Sequence, residues 1–241
     1  MSLKVSLTKI IKEFLISVSA EKNFSDHTLK AYSRDLNRFT TFIKKFYIES
    51  FNDIHQINRL QIRQFMGNEF ESGLSSKTVA RRLASIKSFF NFLVQFELLE
   101  HSPASQIKAP KVEKNIPNFI HSSKIKTLMN IPDKKTLIGK RDLAIVELFY
   151  ATGMRLSELV NLNIGSINHH SRLVRVIGKG NKERIIPFGK HALTALKVYL
   201  NERGVGWMTN EQIPLFASKN NRRISVRTVQ LRMKKYLSQV L

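Results

Sequence analysis

The sequence predicts a mainly helical protein in two domains, with one small β-hairpin in the second. Three observations lead there. Apolar residues recur every three or four positions through most of the chain, the period of a helix with one buried face. One segment, residues 172–187, carries two β-branched runs around a Gly/Asn turn, the pattern of a hairpin. The run Ala109-Pro110-Lys111-Val112-Glu113-Lys114-Asn115-Ile116-Pro117 is charged, aperiodic and flanked by prolines. It reads as a linker over 111–116, between a domain at 1–110 and a second at 117–241.

The first domain reads as a helical bundle. Leu7, Ile10, Ile11, Phe14 and Leu15 mark a first helix, and Leu29, Tyr32, Leu36, Phe39 and Ile43 a second, opening after Asn23-Phe24-Ser25-Asp26. A third runs from about Arg59 to Phe70 and ends near Gly73. A fourth opens at the N-capping residues Ser75-Ser76 and sets Val79, Leu83, Ile86, Phe90 and Leu93 on one face. In the second domain helical patterns cover about 123–130, 140–151, 155–162, 190–203 and 225–240. Between them Arg172–Ile177 and Glu183–Pro187 flank Gly178-Lys179-Gly180-Asn181-Lys182.

Charge narrows the function. The 241 residues hold 40 Lys+Arg against 18 Asp+Glu, a formal net charge of +22. Residues 1–110 have 16 basic and 10 acidic residues, whereas residues 111–241 have 24 and 8, so most of the excess lies in the second domain. A composition 42% hydrophobic and 24% charged is that of a folded protein, not a basic tail. A folded chain this basic points first to nucleic acid, with an acidic membrane surface or acidic protein as the other polyanions. The absence of cysteine excludes disulfides, thiolate metal sites and a cysteine nucleophile, and fits a reducing, cytoplasmic setting. No stretch approaches the roughly 18 apolar residues of a membrane span, and the N-terminus lacks a secretory pattern, which reads as a soluble, unexported protein.

Three features carry candidate chemistry. On the fourth helix Lys77, Arg81, Ser85 and Ser88 cluster opposite the apolar stripe, where small residues let a backbone approach a major groove while basic ones reach phosphates and base edges. A solvated helix face would look the same. At Ala151-Thr152-Gly153-Met154-Arg155-Leu156-Ser157-Glu158-Leu159 an apolar helix breaks at Thr-Gly, and Arg155 opens the next one. Its guanidinium is placed to clamp a phosphate with two parallel hydrogen bonds, although a helix-turn-helix corner fits the same pattern. At the hairpin tip, glycines on both sides of Lys179 leave the loop free to adapt and the lysine able to protonate a leaving oxygen.

ATGMRLSEL at 151–159 followed by VRVIGKGNKERIIPFGK at 174–190 resembles the tyrosine recombinase (phage integrase) family, its Xer branch above all. The resemblance extends over nearly the whole chain. Residues 25–36 are similar to the family's N-terminal helix and residues 76–90 to its groove-contacting helix. It implies two domains clamped around duplex DNA and strand cleavage through a 3′-phosphotyrosyl link, with no metal or other cofactor. By position, Arg155 matches a phosphate-binding arginine, Lys179 the general acid and Glu158 a supporting carboxylate. The expected DNA contacts are Thr28, Lys30 and Arg34 on the second helix, and Lys77, Arg81, Arg82 and Lys87 on the fourth. Lys182, Arg184, Arg222, Arg223 and Arg227 extend the set into the second domain. Members assemble as tetramers on DNA, which implies a second recombinase subunit as partner; the free chain is expected to be a monomer.

The family pattern continues with a His-x-Leu-Arg box, a Leu-Gly-His box and a nucleophilic tyrosine, which these 241 residues do not contain. His169 sits three before Arg172 but upstream of Lys179, in the wrong place for the box. Tyr236 shares an apolar stripe with Val229, Met233 and Val240 and reads as a core residue, not the nucleophile. The expectation is therefore a catalytic domain incomplete at its C-terminus, binding DNA without cutting it. A non-enzymatic DNA-binding regulator or decayed integrase is the alternative, and an RNA-binding protein the third.

Overall fold

The computed structural model describes residues 5–20, 26–113, 119–208 and 212–241, without the side chains of Asp26 and Lys179. The chain forms two compact units, Met1–Ile116 and Pro117–Leu241. Of the linker read at 111–116, residues 111–113 have neither helix nor strand, and 114–116 lie outside the described residues. The turn read at Asn23–Ser25 lies outside them too.

The first unit contains α1 (Leu7–Ala20), α2 (Asp26–Phe46), α3 (Ile48–Asn52), α4 (Arg59–Glu71) and α5 (Ser76–Gln95). Each long helix buries the apolar stripe its sequence carries: Ile10 and Phe14 on α1, Leu36, Phe39 and Ile43 on α2, Leu83, Ile86 and Phe90 on α5. Phenylalanines dominate the interior and meet edge-on, Phe39 with Phe65 at 5.3 Å and Phe14 with Phe89 at 5.7 Å. Asn58 and Gln61 form a reciprocal capping box at the start of α4, and Ser75 caps α5 through the Thr78 amide. The five-residue α3 has no counterpart in the sequence reading, because one turn of helix is too short to show a period.

The second unit contains α6 (Ser122–Asn130), α7 (Leu137–Thr152), α8 (Leu156–Asn161), α9 (Lys190–Glu202) and α10 (Val226–Leu237). An antiparallel sheet joins them, in order β1 (Ile167–Asn168), β2 (Leu173–Ile177), β3 (Glu183–Pro187). β2 and β3 pair with Val174 opposite Ile186 and Val176 opposite Arg184. Val174 and Val176 point into a core shared with Leu148, Leu196 and Phe216, while Arg175 and Ile177 face out. The hairpin tip is one turn of 3-10 helix over Lys179–Asn181, closed by the Gly178 amide donating to the Lys182 carbonyl at 2.8 Å. Gly180 (φ 73°) and Asn181 (φ 58°) take the left-handed conformation, which explains the Gly-Asn pair. β1, two residues long, was not legible in the sequence.

Gly139 marks a close approach. A Cβ there would lie 1.9 Å from the Asp133 carbonyl oxygen, so the first turn of α7 packs directly on that backbone. Gly139→Ala is expected to displace the start of α7 and to cost about 1–3 kcal/mol in a urea titration, the range for forced overpacking. No helix among the described residues is long and apolar enough to cross a membrane.

Candidate nucleic-acid interface

The corner between α7 and α8 is built by three local choices. Gly153 ends α7 in the left-handed conformation (φ 58°), Met154 is buried, and Arg155 takes the extended N-cap position of α8. The Arg155 side chain remains 71% exposed. Beneath it lies Glu158, buried at 3% exposure. Glu158 Oε2 accepts from the Arg155 backbone amide at 2.7 Å, and Oε1 from Arg155 Nη1 at 3.1 Å. The same two oxygens accept Arg184 Nη1 and Nη2, both at 2.8 Å, in a bidentate fork. That fork, above all, holds the Glu158 carboxyl at a pKa of about 2, against the opposing effect of burial.

Arg184 lies on β3, so Glu158 ties the hairpin to the arginine corner. A Cβ at Gly178 would fall 3.4 Å from Glu158 Oε1, so the base of the tip passes beside the same carboxylate. The Arg184 guanidinium, expected to contact DNA, is thus anchored by an internal acid while its side chain stays 41% exposed. The Lys179 side chain lies outside the described residues; its backbone forms the first residue of the tip turn.

In the first unit several expected contacts prove to be partly internal. Arg81 donates to Asp35 Oδ2, and Arg82 is wedged between Asp35 and Glu69, both fully buried. Ser85, read as groove-facing, is buried and donates to Asp35 Oδ2 at 2.8 Å. Lys87 reaches the Ser105 carbonyl at 3.2 Å. Arg82 and Ser85 are thus drawn into the fold, while Lys87 stays partly exposed. The reason is that α5 packs against α1, α2 and α4, and three neighbours bury a wider arc than one apolar stripe indicates. Lys30, Arg34 and Lys77 are exposed, and Thr28 is partly buried near the start of α2.

In the second unit Lys182, Arg222 and Arg227 are exposed. Arg223 is not: its Nη1 donates to the Val160 and Leu162 carbonyls at 2.9 and 3.0 Å, capping the end of α8. Expected as a DNA contact, it is found bonded to these carbonyls. Tyr236 is buried, and its hydroxyl donates to Asp142 Oδ2 at 2.7 Å while accepting from Arg232 Nη2 at 2.6 Å. Burial, then Asp142, push that phenol up to about 12, the opposite of what a nucleophile needs. His169 stacks on Trp207 with ring centroids 4.9 Å apart. Among the described residues no cluster of His, Cys, Asp or Glu could hold a metal.

The buried acids Asp35, Glu69 and Asp142 were missed by sequence reasoning, although a signal existed. Glu69 continues the Ile62, Phe65 spacing at the next core position of α4, and Asp35 sits within the apolar arc of α2. A carboxylate in a core position requires a cationic partner elsewhere in the chain.

The sequence matches the phage integrase family over residues 118–240 and the phage integrase N-terminal SAM-like domain over residues 11–96. It is 37% identical to the tyrosine recombinase XerD of Listeria monocytogenes serotype 4b (strain F2365), over 81% of this chain and 65% of that protein. The chain therefore spans just under two thirds of that relative's length. It is 32% identical to the tyrosine recombinase XerC of Syntrophus aciditrophicus (strain SB), over 96% of this chain and 78% of that one. Among solved structures it resembles a lambda integrase tetramer bound to a Holliday junction, with a TM-score of 0.71 and 14% identity over 96% of this chain and 65% of that one. It also resembles the Tn1549 transposon integrase in complex with a circular intermediate DNA, with a TM-score of 0.71 and 14% identity over 97% of this chain and 78% of that one.

A helical SAM-like unit followed by a helical unit with a three-stranded antiparallel sheet is the lambda-integrase-like fold. The chain belongs to the phage integrase family, in its tyrosine recombinase, Xer-like branch.

Proposed function

We propose that these 241 residues grip DNA in the manner of a site-specific tyrosine recombinase, a class that exchanges strands through a 3′-phosphotyrosyl intermediate, and do so in the cytoplasm. The observation that carries this is Arg155, held mostly exposed above a buried glutamate that also fixes the neighbouring hairpin. A guanidinium fixed before its ligand arrives favours negative charge developing on a phosphate without reorganising. In this proposal Arg155 grips the scissile phosphate, Lys179 on the hairpin tip protonates the leaving oxygen, and Glu158 braces the pair. The lambda integrase relative is a tetramer on a Holliday junction and the Tn1549 integrase is bound to DNA; we carry duplex DNA and a second recombinase subunit over to this chain as partners. We further propose that the 241-residue polypeptide binds DNA without cleaving it. Its Tyr236 hydroxyl is buried and committed to Asp142, which supports this.

Two measurements on the 241-residue chain test the proposal. Duplex affinity is expected to fall on the order of a hundredfold or more between about 50 and 200 mM salt, as several phosphates are neutralised. A slope of log K against log salt near zero would overturn DNA binding. Incubation with a nicked half-site followed by SDS is expected to give no covalent protein–DNA adduct. An adduct would overturn the non-cleaving part, and peptide mapping would identify the tyrosine.

A further inference from the structure

We propose that Arg38 and Arg81 form a phosphodiester-binding fork on the first unit, held in position from below by the buried carboxylates Asp35 and Glu69. This rests on the duplex-DNA proposal above and extends it to residues with no assigned role: Arg38, Asp35 and Glu69.

The cluster has more positive than negative charge. Two fully buried acids, one on α2 and one on α4, face three arginines, one on α2 and two on α5. Arg82 takes the middle, only 14% exposed, and balances the acids where water is excluded. Arg38 is held at one acid, Glu69, and Arg81 at the other, Asp35, with side chains 52% and 40% exposed. Each uses a single nitrogen internally. Arg38 Nε donates to Glu69 Oε1 at 3.1 Å, and Arg81 Nη1 donates to Asp35 Oδ2. Among the described residues their guanidiniums have no other partner, so most of the five donors of each are available to a ligand.

If stability were the cluster's whole purpose, Arg82 with one more cation would suffice, and the third charge would repel its neighbours. Burial above all, and after it the positive charges of Arg38 and Arg34, lower the pKa of Arg82 against the opposing pull of Asp35. That surplus is retained at a surface, on two helices, beside exposed Lys30, Arg34 and Lys77. Arginine loses much rotamer freedom when it grips an oxyanion. A carboxylate that already fixes one nitrogen removes part of that cost before the phosphate arrives.

Charge and positioning predict opposite signs, which makes the inference testable on the full 241-residue chain with a fluorescent duplex oligonucleotide. Arg38→Lys keeps the charge and loses the fork. It is expected to weaken binding about fivefold to tenfold with the salt slope unchanged, because the number of neutralised phosphates stays the same. Arg38→Gln is expected to weaken binding and to reduce the slope by about one. Glu69→Gln makes the protein more positive, yet is expected to weaken binding, since Arg38 loses its anchor. Circular dichroism and urea midpoints establish that each variant is folded; should Glu69→Gln not fold, the half-exposed Arg38→Lys decides. Unchanged binding by both Arg38 variants, with a steep slope retained in the unaltered protein, would overturn the fork and leave the proposed function standing. Tighter binding by a folded Glu69→Gln would overturn the positioning role. A flat slope in the unaltered protein removes the DNA proposal and the fork together.

Discussion

Asp142→Ala is expected to destabilise the second unit by about 3–5 kcal/mol, the cost of breaking a buried ion pair by removing one partner. Asp142 is fully buried on α7, and its two oxygens organise a polar cluster inside an apolar core. Oδ1 accepts Arg141 Nε at 3.0 Å and Nη2 at 2.8 Å. Oδ2 accepts Arg232 Nε and the Tyr236 hydroxyl, both from α10. Without the carboxylate, the Arg141 guanidinium would stay buried with one remaining bond, from Nη1 to the Ala217 carbonyl at 2.9 Å. α10 would lose its main polar link to α7. Tyr236→Phe supplies the scale, because it removes one hydroxyl and leaves the ion pairs in place. Its expected cost is about 1 kcal/mol. Equal urea midpoints for the two variants would show that the carboxylate does not organise the cluster.

The second large effect concerns Glu158. Glu158→Gln is expected to cost on the order of 2–3 kcal/mol at neutral pH, below the full figure for a buried pair because both arginine partners reach solvent. The glutamine keeps the shape of the side chain but loses the charge that draws in the Arg184 fork and the Arg155 guanidinium. The pH dependence provides an internal check. The folded carboxyl protonates near pH 2, whereas its ordinary value is 4.5. Between those values the unfolded chain binds more protons, so this contribution is complete above about 4.5 and is lost as pH falls toward 2. The stability difference between the unaltered protein and Glu158→Gln should therefore shrink on acidification from pH 5 to pH 2.5, a window set by the same shift. A constant difference across that range would show that the carboxylate charge is not what holds the hairpin. Faster amide exchange over residues 176–184 in the variant would place the loss at the hairpin.

Much of this architecture was legible beforehand. The long helices announced themselves through their apolar stripes, and α5 also through its capping residue Ser75. The hairpin was legible because Gly180 and Asn181 are residues that tolerate the left-handed turn. The arginine corner was legible because Gly153 ends one helix where Arg155 caps the next. What the sequence hid was the partner of each charge. Arg81 and Asp35 are 46 positions apart, and Arg232 and Asp142 are 90 apart, so no local period connects them. For the same reason the exposed Arg222 and the inward Arg223 could not be told apart. Both are basic residues in a loop, and only the free carbonyls at the end of α8 determine which one turns in.

The stack of Trp207 on His169 has a practical consequence. Trp207 is the protein's single tryptophan, and it sits in the second unit. Indole emission therefore follows melting of that half alone, while far-ultraviolet ellipticity sums the helices of both. When the two optical traces separate during denaturation, the order in which the halves come apart can be read from one sample, without cutting the chain or attaching a dye.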